Sequence, residues 1–409
     1  MIQDKHEKVV VVGAGQGGGS VVAFLRQYGY CGDITLIGEE PVAPYHRPPL
    51  SKEWLKGDFS CETLELKPAS FYAKQKIALR LGTRVARIDA SRGCVILADG
   101  DEMGYDHLIL ATGADARTLP MQGAGFDNVM TLRTMNDAQR LRAALVPGKK
   151  LVIIGGGYVG LECAATARTL GVDVVVIERA GRLLERVASP HVSSFLAQFH
   201  QNHSVLVETN ADLLAIDGST RAESVQLADG RRFDCDSLLV GIGASPAIAI
   251  AAEAGLACDD GILVDADCHT SNPHIFALGD VARRPHALYH CRLRLESVPS
   301  AMEQAKRIAA VLTGRKPAEA EVPWFWSEQY NLKLQIAGLL FESKKTIVRG
   351  DPDQSKFAVY HLCDGRVVAV ETINAPSEFF AGKKLIGSKK TVDSERLADL
   401  SVSLHELVA

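Results

Sequence analysis

The chain has 409 residues, 47% of them hydrophobic, and a formal net charge of −4. That length supports two or three domains with cores of their own, and the near-balanced charge argues against a nucleic-acid-binding protein. No apolar run approaches the roughly 20 residues a membrane-spanning helix requires, and residues 1–5 lack the apolar core of a signal peptide, so a cytoplasmic protein without a membrane segment is expected.

The first element is the apolar run Val9-Val10-Val11-Val12, which leads into Gly13-Ala14-Gly15-Gln16-Gly17-Gly18. Glu39 closes the next apolar run. Strand, G-x-G-x-x-G turn, helix and an acidic residue roughly 20 positions on form a dinucleotide-binding signature. Its glycines permit a tight turn and close backbone approach, so a pyrophosphate meets the amides of a helix start. The acidic residue accepts hydrogen bonds from a ribose. Leu108-Ile109-Leu110 then stops at Ala111, Thr112 and Gly113, small residues where backbone can lie against a cofactor.

The signature recurs. Leu151-Val152-Ile153-Ile154 leads into Gly155-Gly156-Gly157-Tyr158-Val159-Gly160, and Glu178 closes Val174-Val175-Val176-Ile177. Two complete copies imply two dinucleotides brought together for electron transfer. A second strand ending in small residues, Leu238-Leu239-Val240-Gly241-Ile242-Gly243, fits duplicated domains. Farther on, Ile275-Phe276-Ala277-Leu278-Gly279-Asp280 places a carboxylate at the carboxyl end of a sheet, where ligands bind. A helix is expected from about Val298, with Pro299 in its first turn and Ser300 with Glu303 as a capping box.

From about residue 322 the pattern changes to short strands and turns, opened by Trp324-Phe325-Trp326. The expected architecture is therefore α/β, with two Rossmann-like dinucleotide-binding domains and a C-terminal α+β domain. The boundaries read as 1–113 with 243–321, 114–242, and 322–409. Nine cysteines are scattered with no C-x-x-C or C-x-x-x-x-C spacing, which suits packed thiols in a reducing compartment. The histidines show no H-E-x-x-H pattern and no G-x-S-x-G elbow occurs, so neither a metal site nor a serine nucleophile is expected.

Three further stretches carry a narrower signal: Pro44-Tyr45-His46-Arg47-Pro48-Pro49-Leu50-Ser51-Lys52, Glu296-Ser297-Val298-Pro299, and Pro323-Trp324-Phe325-Trp326-Ser327-Glu328-Gln329-Tyr330. The first of these, with the Gly155 to Glu162 run and the strand ending in Gly279-Asp280, resembles the glutathione-reductase-like flavoproteins, and the other two stretches are narrower marks. Together, within those flavoproteins, they are similar to NADH-dependent ferredoxin reductases of the putidaredoxin reductase type, which serve bacterial cytochrome P450s and ring-hydroxylating dioxygenases. The likeness runs over essentially the whole chain.

The resemblance implies FAD in the first domain and NADH in the second. Gly13, Gly15, Gly17 and Gly18 would hold the FAD pyrophosphate, Glu39 its ribose, Val85 the adenine and Asp280 the ribitol. Lys52 would reach the flavin ring, Arg133 would contact FAD, and Val298 would meet the pyrimidine edge. Gly155, Gly157, Gly160 and Glu178 would hold NADH, with Glu162 near the nicotinamide. Lys52 and Glu162 are thus the candidate catalytic pair, the alternatives being a solvated lysine and an ordinary helix-surface glutamate. Tyr158 is either a gate over the flavin or packing. Trp324 and Trp326 either lie beside the flavin, line a partner contact or fill the domain core. Glu178 would repel a 2′-phosphate and favour NADH, although Arg179 and Arg182 could soften that preference.

Disulfide reductases of this superfamily place a C-x-x-x-x-C pair beside the flavin, whereas residues 18–52 contain only Cys31. Electrons would then leave directly to an external one-electron carrier, expected to be an acidic [2Fe–2S] ferredoxin. Arg283, Arg284, Arg292, Arg294, Lys306, Arg307, Arg315 and Lys316 outnumber Glu296 and Glu303 across residues 283–316, a candidate docking surface; the lysines at 383, 384, 389 and 390 are a second contributor. The other readings on the same fold are an NADH oxidase, a rubredoxin reductase or an apoptosis-inducing-factor-like redox protein.

Overall fold

A computed structural model describes residues 7–408, apart from the Cys61 side chain; the expectation about residues 1–5 lies outside them. The chain divides into two compact units, Met1–Arg47 with Ser60–Asp115 and Ser245–Glu321, and Pro48–Phe59 with Ala116–Ala244 and Val322–Ala409. The proline-rich stretch is therefore cut after Arg47, and the part that carries Lys52 belongs to the second unit.

The first unit is built on a five-stranded sheet in the order Ile275–Ala277, His107–Leu110, Lys8–Val12, Asp33–Ile37, Ile77–Arg80. Every neighbouring pair is parallel. Period-two alternation gives the valine run two buried faces. Val9 and Val11 pack under helices Gln16–Gln27 and Val298–Leu312, with Leu25, Ile308 and Ala309. Val10 and Val12 pack under a three-stranded antiparallel sheet that supplies Val85, Ile88, Val95 and Leu97.

The second unit repeats the plan with a parallel sheet in the order Val205–Glu208, Asp173–Ile177, Lys150–Ile154, Ser237–Val240, Val129–Met130. Helix Tyr158–Thr169 is the crossover after its first motif strand. The same unit holds the C-terminal five-stranded antiparallel sheet, ordered Trp324–Gln329, Leu332–Gly338, Arg366–Ile373, Lys356–Cys363, Lys345–Asp351. Helix Pro376–Ser388 covers it, burying Phe379, Leu385 and Ile386. The architecture is the expected one: two parallel-sheet dinucleotide-binding folds and an α+β addition.

Candidate functional site: two glycine cradles and a buried ion pair

In the first cradle, Gly13 has φ +111°, and a Cβ there would lie 2.1 Å from the Ala111 carbonyl oxygen. A Cβ on Gly18 would lie 1.9 Å from the Gly13 oxygen, and one on Gly17 would strike Leu278 at 2.8 Å. Backbone packing alone therefore demands glycine at Gly13 and Gly18, whereas at Gly17 the clash is with the end of the Leu278 side chain. Gly15 differs, because a Cβ there would meet nothing nearer than Arg47 at 3.8 Å. Gly15 is also the N-cap of helix Gln16–Gln27, with an extended backbone and no side chain capping the helix amides. A clear space above uncapped helix amides is what a phosphate-bearing ligand requires.

The same unit holds several of the other expected FAD residues, while Lys52, Arg133 and Trp326 fall in the second unit. Ala111, Thr112 and Gly113 follow strand His107–Leu110, with the Thr112 hydroxyl donating to the Ala247 carbonyl at 2.9 Å. Asp280 sits in the short turn Gly279–Val281 just past Ile275–Ala277. The Gly279 amide donates to Gln304 on helix Val298–Leu312 at 3.0 Å, so Asp280 and the Val298 helix are held to each other. Glu39 is exposed, and among the described residues its carboxylate has no hydrogen-bond or ion-pair partner. Val85 is buried at the start of Val85–Asp89, with its side chain in the core. The capping box expected from Ser300 and Glu303 does not form. Ser297 is the cap, accepting from the Ser300 amide at 3.3 Å, while Glu303 is drawn away to Arg284 and Arg307.

The second cradle repeats the first almost position for position. Gly155 has φ +108° and would place a Cβ 2.4 Å from the Gly241 oxygen; Gly160 would place one 2.4 Å from the Gly155 oxygen. Gly157, the uncapped N-cap of helix Tyr158–Thr169, has clear space to 3.9 Å. Its acidic residue behaves differently. Glu178 accepts the Gly156 amide and the Ala180 amide, each at 2.7 Å, so the carboxylate is clamped into the glycine turn. Arg182 is committed to the Ala188 and Glu185 carbonyls and to Ser193, which removes it as a phosphate partner and leaves Arg179 exposed. The Tyr158 ring packs on Phe325 at 4.5 Å between centroids, and burial pushes its phenol pKa upward.

The second unit also holds the candidate catalytic pair. Residues Pro48–Ser51 form a single tight turn that is fastened to the crossover helix by the Thr166 hydroxyl, which donates to the Ser51 carbonyl at 2.8 Å. Lys52 Nζ lies 2.7 Å from Glu162 Oε2, and the two side chains are only 8% and 6% exposed. Neither is the solvated surface residue that the sequence left open. Glu162 Oε2 also accepts the Ser51 hydroxyl at 2.5 Å. Its Oε1 accepts the Ser327 hydroxyl at 2.7 Å and the Glu328 amide at 3.3 Å. Lys52 donates a further hydrogen bond to the Pro48 carbonyl at 2.9 Å. Burying two charges is costly unless the remaining lone pairs and protons are satisfied; here both Glu162 oxygens accept two hydrogen bonds each, and Lys52 donates to Glu162 and to the Pro48 carbonyl. The neighbouring Cys163 is wholly buried, and burial drives its thiol pKa far upward, so it stays protonated.

Arg133 and Trp326 belong to this unit as well. The Arg133 amide donates to Asp137 at 3.0 Å, just ahead of helix Met135–Ala144. Trp326 is half-buried on strand Trp324–Gln329, 5.6 Å from the Trp324 ring. Sequence reasoning missed Ser51, Ser327, Gln329 and His200. The signal for the middle two was the strand itself, whose period of two puts Ser327 and Gln329 on one face.

Two further expectations change. The cysteines are not uniformly packed: Cys94, Cys163, Cys235 and Cys268 are buried, but Cys31 and Cys291 are exposed. The basic stretch is largely neutralised internally. Arg283 pairs with Asp259, Arg284 with Glu303, Arg294 with Glu296 and Asp260, and Arg307 with Asp267 and Glu303. Lys306 and Arg315 remain exposed, set over the rings of Phe24 and Tyr28 at 5.7 and 4.9 Å, and Lys316 is exposed beside them. Among the described residues no cluster of His, Cys, Asp or Glu could hold a metal ion, and no helix is long and apolar enough to cross a membrane.

Residues 7–305 match the pyridine nucleotide-disulphide oxidoreductase family, and residues 324–408 match the reductase C-terminal family. The chain belongs to the first of these. It is 43% identical to a probable ferredoxin reductase of Castellaniella defragrans, over 98% of this chain and 99% of that one. It is 41% identical to putidaredoxin reductase of Pseudomonas putida, over 99% of this chain and 97% of that one. The crystal structure of a covalent putidaredoxin reductase–putidaredoxin complex superposes with a TM-score of 0.96, covering 98% of each chain at 41% identity. Within the family this chain is thus a ferredoxin reductase of the putidaredoxin reductase type, an oxidoreductase that uses FAD and NAD(H).

Proposed function

We propose that this protein takes electrons from NADH and passes them through FAD to an acidic [2Fe–2S] ferredoxin, which serves a cytochrome P450 or a ring-hydroxylating dioxygenase. The first unit is assigned to FAD and residues 114–242 to NADH. The observation that carries this reading is the pair of cradles, each with an N-cap glycine that protein packing does not require and that leaves open space at uncapped helix amides. Bound FAD supplies the conversion of a two-electron hydride into single electrons.

The remaining work belongs to this chain. The amides at the start of helix Gln16–Gln27 bind the FAD pyrophosphate, Glu39 takes the adenosine ribose, and Asp280 takes the ribitol. Val85 meets the adenine through its backbone. The positive end of helix Val298–Leu312 favours negative charge at the pyrimidine edge, worth roughly 0.3–1 kcal/mol and more when buried. Lys52 adds a full positive charge beside the ring and Glu162 holds it in place, while Arg133 and Trp326 complete the flavin contacts. Clamped Glu178 accepts the NADH ribose hydroxyls and repels a 2′-phosphate. With Cys163 buried and protonated, no thiol among the described residues beside the Lys52–Glu162 pair relays electrons.

The ferredoxin docks on the residual cations Lys306, Arg315 and Lys316. The exposed Cys31 and Cys291 thiols suit a reducing cytoplasm. The test is NADH-driven cytochrome c reduction by the purified protein, with and without a [2Fe–2S] ferredoxin from the same cell. Strong ferredoxin stimulation that weakens with added salt is expected. Rapid NADH consumption with oxygen alone, indifferent to ferredoxin, would move the protein to the oxidase reading.

A further inference from the structure

We propose that Ser327 is a positioning residue for Glu162, fixed by a one-way chain of hydrogen-bond donors that begins at His200. The proposal rests on the Lys52–Glu162 reading above. Three buried polar side chains stand in line behind the carboxylate: Ser327 2.7 Å from Glu162 Oε1, Gln329 Nε2 3.2 Å from Ser327 Oγ, and His200 Nε2 2.8 Å from Gln329 Oε1. Ser327, Gln329 and His200 are 0%, 2% and 0% exposed, so no water competes for these bonds.

The direction of every bond follows from the chemistry of its end. An ionised carboxylate only accepts, so Ser327 must spend its single proton on Glu162. Ser327 can then only accept from behind, which turns the Gln329 amide nitrogen toward it and the amide oxygen toward His200. That oxygen accepts, so His200 carries its proton on Nε2, and its Nδ1 is the bare, unpartnered nitrogen in this core. Burial also keeps the His200 pKa below its ordinary value, which suits the neutral ring the chain needs. Donors aligned in one sense polarise one another in a low-dielectric interior. Together with the Glu328 amide, the chain claims Oε1 and leaves Oε2 for Lys52 and Ser51. The C-terminal domain thereby sets the rotation of the carboxylate that holds the lysine.

The experiment compares Ser327→Ala, Ser327→Thr, Gln329→Met and Glu162→Gln in the FAD-loaded full chain, reading stopped-flow flavin reduction by NADH, the NADH dissociation constant and the flavin midpoint potential. Losing one hydrogen bond to a charged group should lower the limiting reduction rate of Ser327→Ala about tenfold. Its NADH dissociation constant should stay within about twofold of wild type, and its midpoint potential should move. Ser327→Thr, which keeps the hydroxyl, should restore both. Gln329→Met should change the rate by about threefold or less and move the potential in the same direction as Ser327→Ala by a smaller shift, since it removes only the donor behind Ser327; it carries the test should Ser327→Ala fail to retain FAD. A wild-type rate and potential in Ser327→Ala beside a slow Glu162→Gln would overturn the role of Ser327 and leave the ion-pair reading standing. A wild-type Glu162→Gln would overturn both.

Discussion

Lys52 and Glu162 are 110 positions apart in the chain yet form a charged pair with almost no access to solvent. Removing one member of such a pair leaves an uncompensated buried charge, at a cost of about 3–5 kcal/mol. Lys52→Ala should therefore lower the midpoint of thermal unfolding as well as slow flavin reduction by NADH. Lys52→Met combined with Glu162→Gln should recover much of the stability but not the rate. A Lys52→Ala protein that reduces its flavin at the wild-type rate would show that the lysine does not serve the reaction. Glu178 makes a second prediction at this scale. Glu178→Ala should raise the KM for NADH about tenfold, as expected for loss of hydrogen bonds to a charged group, and narrow the preference over NADPH. An unchanged NADH/NADPH ratio would count against its ribose assignment. Arg182 should not rescue NADPH use, because its donors are already bound to the Ala188 and Glu185 carbonyls and Ser193.

At the scale of the element, the two strand–turn–helix units separate glycines that packing needs from glycines that only the proposed ligand would need. Gly13→Ala combines a strained positive φ with a Cβ 2.1 Å from a backbone oxygen, so it should disrupt the turn and yield protein that unfolds at lower temperature even without FAD. Gly15→Ala meets nothing within 3.8 Å, so the flavin-free protein should melt near wild type while FAD affinity falls about tenfold or more. Equal melting losses in the two flavin-free variants would refute this division. Gly157→Ala should act on NADH as Gly15→Ala acts on FAD. Much of this was legible in the sequence, because the motif is a local device: an apolar strand, fixed glycine spacing and an acid after the next strand. The different fates of Glu39 and Glu178 were not. One is free and the other is clamped by the Gly156 and Ala180 amides, a distinction made by turn geometry and not by residue type.

The net charge of the whole molecule says little about where its charge is available. Arg283, Arg284, Arg294 and Arg307 spend their charge on carboxylates, leaving Lys306, Arg315 and Lys316, with Arg292 bound only to the Val264 carbonyl, as the charges available to the proposed partner. Reversing Lys306 and Arg315 together to glutamate should lower ferredoxin-dependent cytochrome c reduction about tenfold more than NADH–ferricyanide reduction, and should weaken the salt dependence. Reversing Arg283 should do far less. Acid stability is also a property of the whole. Burial holds the pKa values of His200 and His286 below the ordinary 6.5, so each is buried neutral and must gain charge in acid. Their contribution to stability is present above about pH 6.5 and is lost as pH falls through the lowered native values, because the unfolded chain then binds the protons more readily. Melting temperature should accordingly be flat from pH 7 to 8 and decline below about pH 6.5; a melting temperature that rises on acidification would contradict the buried-neutral assignment.

The sequence by itself determined the two dinucleotide folds, the glycines of both cradles, the acidic residue after each and the lack of a C-x-x-x-x-C spacing, since all are set by short-range spacing and side-chain periodicity. Tertiary structure alone decided that Ser51 and Lys52, Glu162 and Ser327 come from three separated segments to share one desolvated carboxylate, and that most arginines of the basic stretch are already paired. Those outcomes depend on which charges lose water together, and that is fixed only when distant segments pack.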